Sequence, residues 1–289
     1  MRRWEVREKF NDPLESSYLW NKVISSWLFA QYHLASSRLI GVIYDQRAYL
    51  FREGTLCPAT KEDVVDSLER EIIAKPALQR WGKDVTLVVR TGRDRFNVGD
   101  DVLSRKSFAQ WLGNSSGFQP WILEERLLNH EGLNHLSSTS LNTVRIMTCR
   151  CKSGRISVFG AALRFSANAS IVDNWPAGGL AAAVDVESGK MRMAMPKAPG
   201  LGLEDRDMRG LRLPDWTEAK TLAVCAHERF GGLSTVGWDV GLTPSGPVLV
   251  EGNDDWDIVL PQRVYKRSLW QMPSVSCLAF GRSGNEQKG

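Results

Sequence analysis

Hydrophobic and polar residues alternate in recognisable ways along the first half of the chain. Apolar side chains recur three and four positions apart in residues 14–32, which predicts a helix. Residues 39–51 predict two short strands around a polar turn, and residues 59–71 predict a helix that Thr60 caps. The same patterns predict strands over 71–76, 84–92 and 121–128 and a helix over 100–114.

The second half reads mainly as hairpins. Residues 143–166 and 180–195 each alternate apolar and polar positions on both sides of a Ser-Gly turn, and a helix is predicted over 217–230. Between the two hairpins, the Gly and Pro residues of 168–179 predict a loop. Because the strands follow one another as hairpins, we expect an α+β fold of two antiparallel sheets with flanking helices, without a parallel doubly wound sheet.

The last hairpin, residues 237–255, carries polar side chains in an apolar setting. Asp239 lies on its first strand, and Glu251 and Asn253 lie on its second. A three-residue loop would place Thr243 opposite Pro247. In that register Asp239 faces Glu251, and Asn253 shares their side of the sheet. A four-residue loop would shift the register by one residue and turn Asp239 away.

Directly opposed carboxylates need compensation. Their Cβ atoms lie roughly 5 Å apart, where two charges repel by roughly 3 kcal/mol at an effective dielectric of 20. A divalent cation is one solution, because two carboxylates and an amide oxygen are hard ligands that suit Mg²⁺. The alternative is a hydrated polar face on which Arg or Lys neutralises Asp239 and Glu251.

Composition narrows the class of protein only moderately. The chain has 289 residues and a net charge of +4. This charge is too small to indicate nucleic-acid binding and suits acidic small molecules equally well, so no nucleic-acid partner is expected. Its five cysteines lack metal-type spacing and predict reduced thiols in a cytoplasmic protein. The charged N-terminus lacks the apolar region of a signal peptide, and no apolar window is long enough to span a membrane.

Several segments in sequence order resemble one protein family. The stretch WDVGLTPSGPVLVEGN resembles the terminal metal-binding hairpin of ATP-grasp proteins, EIIAKP resembles their phosphate-lysine strand, and WILEERLL resembles their adenine linker. SLNTVRIMT with GAALRFSANASIVDNWPAGG resembles the sugar-transfer-associated branch, which is related to glutamate ligases. The resemblance covers roughly residues 18–262 and implies an ATP-grasp fold, in which two antiparallel-sheet subdomains clasp a nucleotide.

This resemblance implies a division of the chain and a set of ligands. The implied parts are an N-terminal helical segment (1–38), a small subdomain (39–125), a large subdomain with the metal hairpin (126–280) and a disordered tail (281–289). The implied cofactors are ATP and Mg²⁺, with the metal on Asp239, Glu251 and Asn253. A separate N-terminal domain, which often precedes this fold, is expected to be nearly absent.

Roles for individual residues follow from the same resemblance. Those expected to hold the nucleotide are Lys22 and Lys75 on phosphates, Glu124 on the adenine amino group, the backbone of Glu125 and Leu127 on adenine, and Asn142 or Glu131 on ribose. Arg145 and Arg164 are expected over the γ-phosphate and the acyl phosphate formed from it, where a guanidinium matches phosphoryl oxygens. The substrate loop is expected to use Asp173, Asn174, Gly178 and Gly179.

One departure concerns the loop after Lys75. Where the family has a glycine-rich loop, this chain has ALQRWGK with Gly82 as its one glycine, so Arg80 and Lys83 are left to cover phosphates. The histidines His33, His130, His135 and His227 lack partners at catalytic spacing and are expected to be surface or structural residues.

The implied activity is an ATP-dependent carboxylate–amine or carboxylate–thiol ligase that works through an acyl phosphate. Acidic sugars or peptide-like molecules in a biosynthetic pathway are the substrate class that the resemblance suggests. A phosphotransferase acting on a hydroxyl group and a nucleotide-binding partner protein without turnover remain alternatives. The aromatic residues of the first helix leave open a homodimer or a partner protein.

Overall fold

A computed structural model describes residues 10–68, 70–79, 82–137, 139–167, 175, 178–198 and 203–272. Its helices are α1 (Pro13–Trp20), α2 (Lys22–Gln31), α3 (Lys61–Ser67), α4 (Arg105–Ser115), α5 (Trp216–Arg229) and α6 (Val259–Tyr265). Its first strands are β1 (Leu39–Tyr44), β2 (Arg47–Arg52), β3 (Thr55–Ala59), β4 (Glu71–Pro76), β5 (Thr86–Gly92), β6 (Arg95–Val98), β7 (Asp101–Ser104) and β8 (Trp121–Glu125). The remaining strands are β9 (Thr143–Arg150), β10 (Ile156–Ser166), β11 (Gly179–Val184), β12 (Met191–Pro196), β13 (Thr235–Thr243) and β14 (Gly246–Asn253).

The first sheet has eight strands in the order β3-β2-β1-β8-β4-β5-β6-β7, and neighbouring strands are antiparallel. Helices α3 and α4 cover one face, where Val64, Val65, Phe108 and Leu112 are completely buried. Strand β8 lies between β1 and β4, although 44 residues (77–120) separate the end of β4 from the start of β8. This long-range pairing brings the two ends of the segment 71–125 together.

The second sheet has six antiparallel strands in the order β12-β11-β10-β9-β13-β14. Helix α5 packs on one face through Ala219, Ala223 and Ala226, each fully buried. Small side chains let the helix approach the sheet closely, so Trp238 on β13 is also fully buried. The opposite face is free to carry the polar residues of the hairpin.

Helices α1 and α2 connect the two sheets. The single helix predicted over 14–32 is divided at Asn21, whose backbone is extended and whose side chain accepts a hydrogen bond from Val23 N. Trp27 donates from its indole nitrogen to Gly54 O in the first sheet, at 3.0 Å. Phe29, two residues later, packs against Trp238 of the second sheet.

Most predicted helices and strands are present, and the errors in the prediction concern the bounds and register of single elements. The fold class is confirmed, and the hairpins at 143–166 and 180–195 form as expected. The helix predicted over 100–114 is wrong at its start, because residues 101–104 form strand β7 at the edge of the sheet. Helix α4 begins only after Ser104, whose side chain accepts from Ser107 N and so caps it.

The register of the last hairpin differs from the prediction at its turn. Thr243 pairs with Gly246 across a two-residue turn, so the expected Thr243–Pro247 pairing is wrong. An irregularity between Asp239 and Val240 then shifts the register by one residue, because Val240 faces Leu249 while Asp239 faces Glu251. The bulge leaves Val250 as the extra residue and restores the predicted pairing of the two acids.

Two further features bear on the expected environment. Across the described residues, the helices are too short or too polar to cross a membrane. The four cysteines in this part of the chain, Cys57, Cys149, Cys151 and Cys225, carry free thiols.

Candidate functional site

A cleft between the two sheets collects most of the residues that sequence analysis singled out. Its polar lining includes Lys22, Lys75, Glu124, Arg145, Arg164, Asp239, Glu251 and Asn253. Its apolar lining includes Ile73, Val85, Leu127, Leu141 and Val250. Below, the face contributed by the second sheet is called the floor, and the face contributed by β4 and β8 of the first sheet is called the wall.

Asp239 is the centre of the floor. Its neighbours across the sheet are Arg145 on β9 and Glu251 on β14. Arg145 donates from Nε and Nη2 to the two carboxylate oxygens of Asp239, at 2.5 and 2.9 Å. Burial alone would raise the pKa of Asp239, but the charges of Arg145 and Arg164 outweigh it and lower the pKa to about 2. Asp239 is therefore ionised at neutral pH.

Arg164 approaches the same carboxylate from strand β10. Its Nη2 lies 3.1 Å from Asp239 Oδ2. The same nitrogen donates to Thr143 Oγ1 at 2.7 Å, and Nε donates to it at 3.3 Å. Sequence analysis missed Thr143, although strand alternation places it on the side of β9 that also carries Arg145, two residues later.

Glu251 and Asn253 complete a group of oxygen-bearing side chains with Asp239. Asn253 Nδ2 lies 3.4 Å from Asp239 Oδ2 and 3.3 Å from Glu251 Oε1. Turning the amide over would place Oδ1 there instead, so two carboxylates and an amide oxygen could converge on one cation. This donor set fits Mg²⁺. Elsewhere in the described part of the chain, no group of three or more His, Cys, Asp or Glu side chains is placed to hold a metal.

Lys22 lies between the floor and the wall. It opens helix α2, and its backbone N–H donates to Ala77 O at 3.1 Å. Its ammonium group donates to Gln79 O at 2.5 Å and lies 3.7 Å from Glu251 Oε2. Burial lowers the pKa of Lys22 below its usual 10.5, and the negative charge of Glu251 opposes this shift.

The wall carries one buried ion pair. Lys75 Nζ lies 2.6 Å from Glu124 Oε2, and the two side chains are only 9% and 4% exposed. Ser26 of α2 donates to the other oxygen of Glu124 at 3.4 Å. The pair forms because β4 and β8 are neighbours in which Lys75 faces Ile122 and Ile73 faces Glu124, so both side chains point to the same side.

The chain leaves the wall through the expected linker. Strand β8 ends at Glu125, whose N–H donates to Arg38 O and whose carboxylate lies 3.2 Å from Arg38 Nε. Leu127 follows and lines the cleft beside Leu141. These residues give this part of the cleft an apolar lining, which suits a flat heteroaromatic ring.

Asn142 lies away from the cleft lining, unlike the lysines and linker residues expected to contact the nucleotide. Its side chain is fully buried outside the cleft lining, and its Nδ2 donates to Leu133 O at 3.1 Å. Its N–H donates to Asn129 Oδ1 at 2.7 Å, so in this structure the residue stabilises the loop before β9. The alternative, Glu131, lies in a short 3-10 helix (Glu131–Leu133) and lines a second cavity that adjoins the cleft at Leu127.

Part of the expected substrate loop lies outside the described residues. That is the case for Asp173 and Asn174, and for Arg80 of the loop after Lys75. Gly178 is described, and Gly179 begins β11 opposite Ser166, but neither lines the cleft. Trp175 does line it, buried to 2% exposure, with its indole nitrogen donating to Met195 O. Gly82 and Lys83 also line the cleft.

The most buried histidine is structural, as expected. His227 on α5 is fully buried, with Nδ1 2.7 Å from Thr148 Oγ1 and Nε2 2.9 Å from Leu233 O. Burial lowers the pKa of His227 to about 4. It therefore supports the back of the floor, where Trp238 also donates to Thr148.

Several solved structures are similar to this chain in fold, and the chain spans only about half of the length of each. VanG D-Ala:D-Ser ligase from Enterococcus faecalis aligns with a TM-score of 0.51 and 13% identity, covering 86% of this chain and 55% of that one. D-alanyl-alanine synthetase A from Vibrio cholerae aligns at 0.50 and 12%, covering 85% and 58%. N5-carboxyaminoimidazole ribonucleotide synthetase from Thermotoga maritima aligns at 0.47 and 11%, covering 85% and 44%. At these identities the first two alignments establish the fold alone.

Comparison of sequences gives the family. No curated protein matches the chain. The model of the family described as "Sugar-transfer associated ATP-grasp" matches residues 1–275, which is most of the chain. The chain therefore belongs to the sugar-transfer-associated ATP-grasp family.

Proposed function

Starting from this membership, we propose that the protein is an ATP-dependent ligase that joins a carboxylate to an amine or a thiol through an acyl phosphate. The observation that carries the proposal is the floor of the cleft. There two guanidinium groups, two carboxylates and an amide lie within hydrogen-bonding reach of one another. Such a site can neutralise a polyphosphate from one side and bind its metal from the other.

The nucleotide would lie along the cleft with its base at the linker. In this placement adenine occupies the apolar part of the cleft beside Leu127 and Leu141, and the backbone of Glu125 and Leu127 reads its edge. The triphosphate then extends towards the floor. Lys75 and Lys22 lie along that path and supply positive charge to the phosphates.

Glu124 takes a different part in this proposal from the one that the resemblance implied. Its two carboxylate oxygens already accept from Lys75 and Ser26. A carboxylate used in this way orients the lysine, so we assign Glu124 to positioning Lys75 instead of reading the adenine amino group. Lys75 has three N–H donors, and one contact with Glu124 leaves two for phosphate oxygens.

The reaction would proceed in two transfers. An oxygen of the substrate carboxylate attacks the γ-phosphorus, the bond to the β-phosphate oxygen breaks, and ADP leaves. The nitrogen or sulfur nucleophile then attacks the acyl carbon, releasing inorganic phosphate and losing a proton. Arg164 and Arg145 would hold the oxygens of the transferred phosphoryl group, because a guanidinium fork matches their geometry. The protein supplies position and charge more than covalent chemistry.

Asp239, Glu251 and Asn253 would hold Mg²⁺. When bound, the ion neutralises charge on the β- and γ-phosphate oxygens. The second substrate would enter beyond the γ-phosphate, where Trp175 and Asp255 line the cleft. For the substrates, family membership favours acidic sugars or peptide-like acids, together with an amine.

The proposal is tested by measuring ADP and free phosphate separately. Purified protein is incubated with ATP and Mg²⁺, with acidic sugars and amino acids added singly and in pairs. A ligase forms ADP and phosphate in equal amounts only when an acid and an amine or thiol are both present. ADP without free phosphate would identify a phosphotransferase, and nucleotide binding without turnover for any pair would identify a binding protein.

Two variants decide the metal assignment. Asp239→Asn combined with Glu251→Gln should abolish turnover, since the oxygen ligands remain but the charge that holds the metal is lost. Asp66→Asn is the matched control, because Asp66 forms a comparable bidentate pair with Arg105 at the exposed surface. Turnover that survives the double substitution would contradict the assigned metal role.

A further inference from the structure

The cations assigned to phosphate are already paired with carboxylates of the protein. Arg145 and Arg164 share Asp239, at 2.5 to 3.1 Å, and Lys22 lies 3.7 Å from Glu251. On the wall, Lys75 is paired with Glu124. On the floor, the carboxylates thus occupy positions next to the cations that phosphate oxygens would take, whereas Lys75 keeps donors for phosphate.

The cleft is correspondingly narrow. It encloses about 210 Å³, whereas pockets for small ligands usually span roughly 300–1,000 Å³. A triphosphate that bound the floor cations would displace the carboxylates that now pair with them. On the floor these contacts are buried, since Arg145 is 6% and Asp239 is 3% exposed.

Displacing them with phosphate alone is unfavourable. If the guanidinium groups of Arg145 and Arg164 turned to phosphate, the carboxylate of Asp239 would lose its partners while buried and facing an incoming anion. A buried charge left without a partner is among the most destabilising changes in a protein. Glu251 and Asn253, however, lie where they can share a cation with Asp239.

We propose that nucleotide binds through an exchange of ionic partners on the floor, which rests on the proposed function. Asp239 and Glu251 pass from Arg145, Arg164 and Lys22 to the divalent metal, and the released cations pass to phosphate. The exchange couples the binding of the divalent metal to the binding of the nucleotide, which could otherwise be independent. Asp239 thus acts as an internal competitor of metal-free nucleotide, in addition to being a metal ligand.

The exchange predicts an unusual result for one substitution. In wild type, chelating the metal should weaken the binding of adenylyl-imidodiphosphate at least about 100-fold, equivalent to about 2.7 kcal/mol. Asp239→Asn removes the competing charge, so its affinity in EDTA should rise about tenfold above that of wild type in EDTA. Its affinity in Mg²⁺ should fall, because the metal has lost a charged ligand. Isothermal titration calorimetry measures all four values without turnover.

Two further variants keep the test decisive. Glu251 is 29% exposed and lies 3.7 Å from Lys22, so Glu251→Gln should shift the EDTA affinity in the same direction by a smaller factor even if Asp239→Asn fails to fold. Asp66→Asn, the exposed bidentate pair with Arg105, should change neither affinity.

The outcomes separate the two proposals. If Asp239→Asn and Glu251→Gln weaken binding in EDTA as well as in Mg²⁺, the carboxylates only support the site and the exchange is wrong. Wild-type affinities that agree within about threefold in EDTA and in Mg²⁺ also overturn the exchange, while the proposed function stands. Absence of nucleotide binding under both conditions overturns both.

Discussion

The wall and the floor of the cleft both bury charged residues, but they balance the charges differently. On the wall one lysine meets one carboxylate, and Ser26 satisfies the second oxygen. On the floor two guanidinium groups share the single carboxylate of Asp239, with Lys22 and Glu251 beside them. The wall is therefore neutral by itself, whereas the Asp239 group on the floor carries a surplus positive charge.

This difference indicates a division of labour. A one-to-one buried pair contributes little net stability compared with an apolar pair, but removing one partner is costly. Such a pair suits a fixed position along the path of the nucleotide. A group with surplus positive charge next to oxygen ligands can instead exchange partners when an anion and a metal arrive. We therefore expect substitutions on the wall to affect folding first and those on the floor to affect ligands first.

The largest expected effect comes from breaking the wall pair. Lys75→Ala leaves Glu124 buried without its cation and should lower the free energy of unfolding by about 4 kcal/mol. Urea unfolding of the unliganded protein measures this loss.

A double substitution separates folding from ligand binding on the wall. Lys75→Met with Glu124→Leu replaces the pair by apolar side chains and should recover most of the stability. It should not recover nucleotide binding, since no ammonium group faces the phosphates. If Lys75→Ala alone cost less than about 1 kcal/mol, the wall pair would behave like an exposed one and the distinction between wall and floor would be lost.

The next largest effect concerns the support behind the floor. His227 has a pKa of about 4 in the folded protein and about 6.5 when unfolded, so the unfolded state binds more protons between these values. Stability should be fully present above pH 6.5 and fall by about 3 kcal/mol as the pH drops to 4.

The contribution of His227 can be isolated by comparison. Carboxylates titrate over part of the same range in every variant, so the relevant quantity is the difference between wild type and His227→Gln, which keeps polar atoms but does not titrate. Urea unfolding from pH 7 to 4, followed by tryptophan fluorescence, measures both profiles. Trp238 reports on this region because its ring centroid lies 6.5 Å from that of His227. Parallel profiles would rule out the histidine as the cause.

The floor was more predictable from sequence than the wall. Asp239, Glu251 and Asn253 lie close together in sequence, so hairpin geometry and strand alternation sufficed to bring them to one face. The predicted register was nevertheless wrong at the turn and correct at the acids, because the bulge at Val250 compensates for the shorter turn. Such a bulge leaves no mark in the hydrophobic pattern.

The wall pair depends on long-range contacts. Lys75 and Glu124 meet because β4 and β8 are neighbours in the sheet, and alternation within either strand does not predict that pairing. The same limit applies to Asn142, which the family resemblance offered beside Glu131 as a ribose contact and whose side chain and N–H bond to Leu133 and Asn129. The division of the first helix at Asn21 lies at an extended residue whose side chain caps α2, and apolar periodicity cannot reveal such a break, because Leu19 of α1 and Phe29 of α2 both pack in the core of the second sheet.

A smaller effect is expected from changing the shape of a floor cation without changing its charge. Arg164→Lys keeps one positive charge but cannot reach Thr143, Asp239 and a phosphate together. Affinity for the magnesium complex of adenylyl-imidodiphosphate should fall by about 2 kcal/mol, the strength of a charged hydrogen bond. Affinity for magnesium–ADP, which lacks the γ-phosphate, should hardly change. Equal losses of affinity for both nucleotides would contradict the assignment of Arg164 to the γ-phosphate. The control is Arg105→Lys at the surface.

The smallest effect tests whether the floor arginine needs to be held in place. Thr143→Val keeps the shape of the side chain but removes the acceptor that Arg164 uses through Nε and Nη2, at 3.3 and 2.7 Å. The affinity for the magnesium complex of adenylyl-imidodiphosphate should fall by about 1 kcal/mol, which is typical of one hydrogen bond. The affinity for magnesium–ADP should stay constant, so the preference for the nucleotide with a γ-phosphate decreases. Thr143→Ser retains the hydroxyl group and should restore the preference. If serine behaves like valine, the hydroxyl group of Thr143 does not hold Arg164 in place.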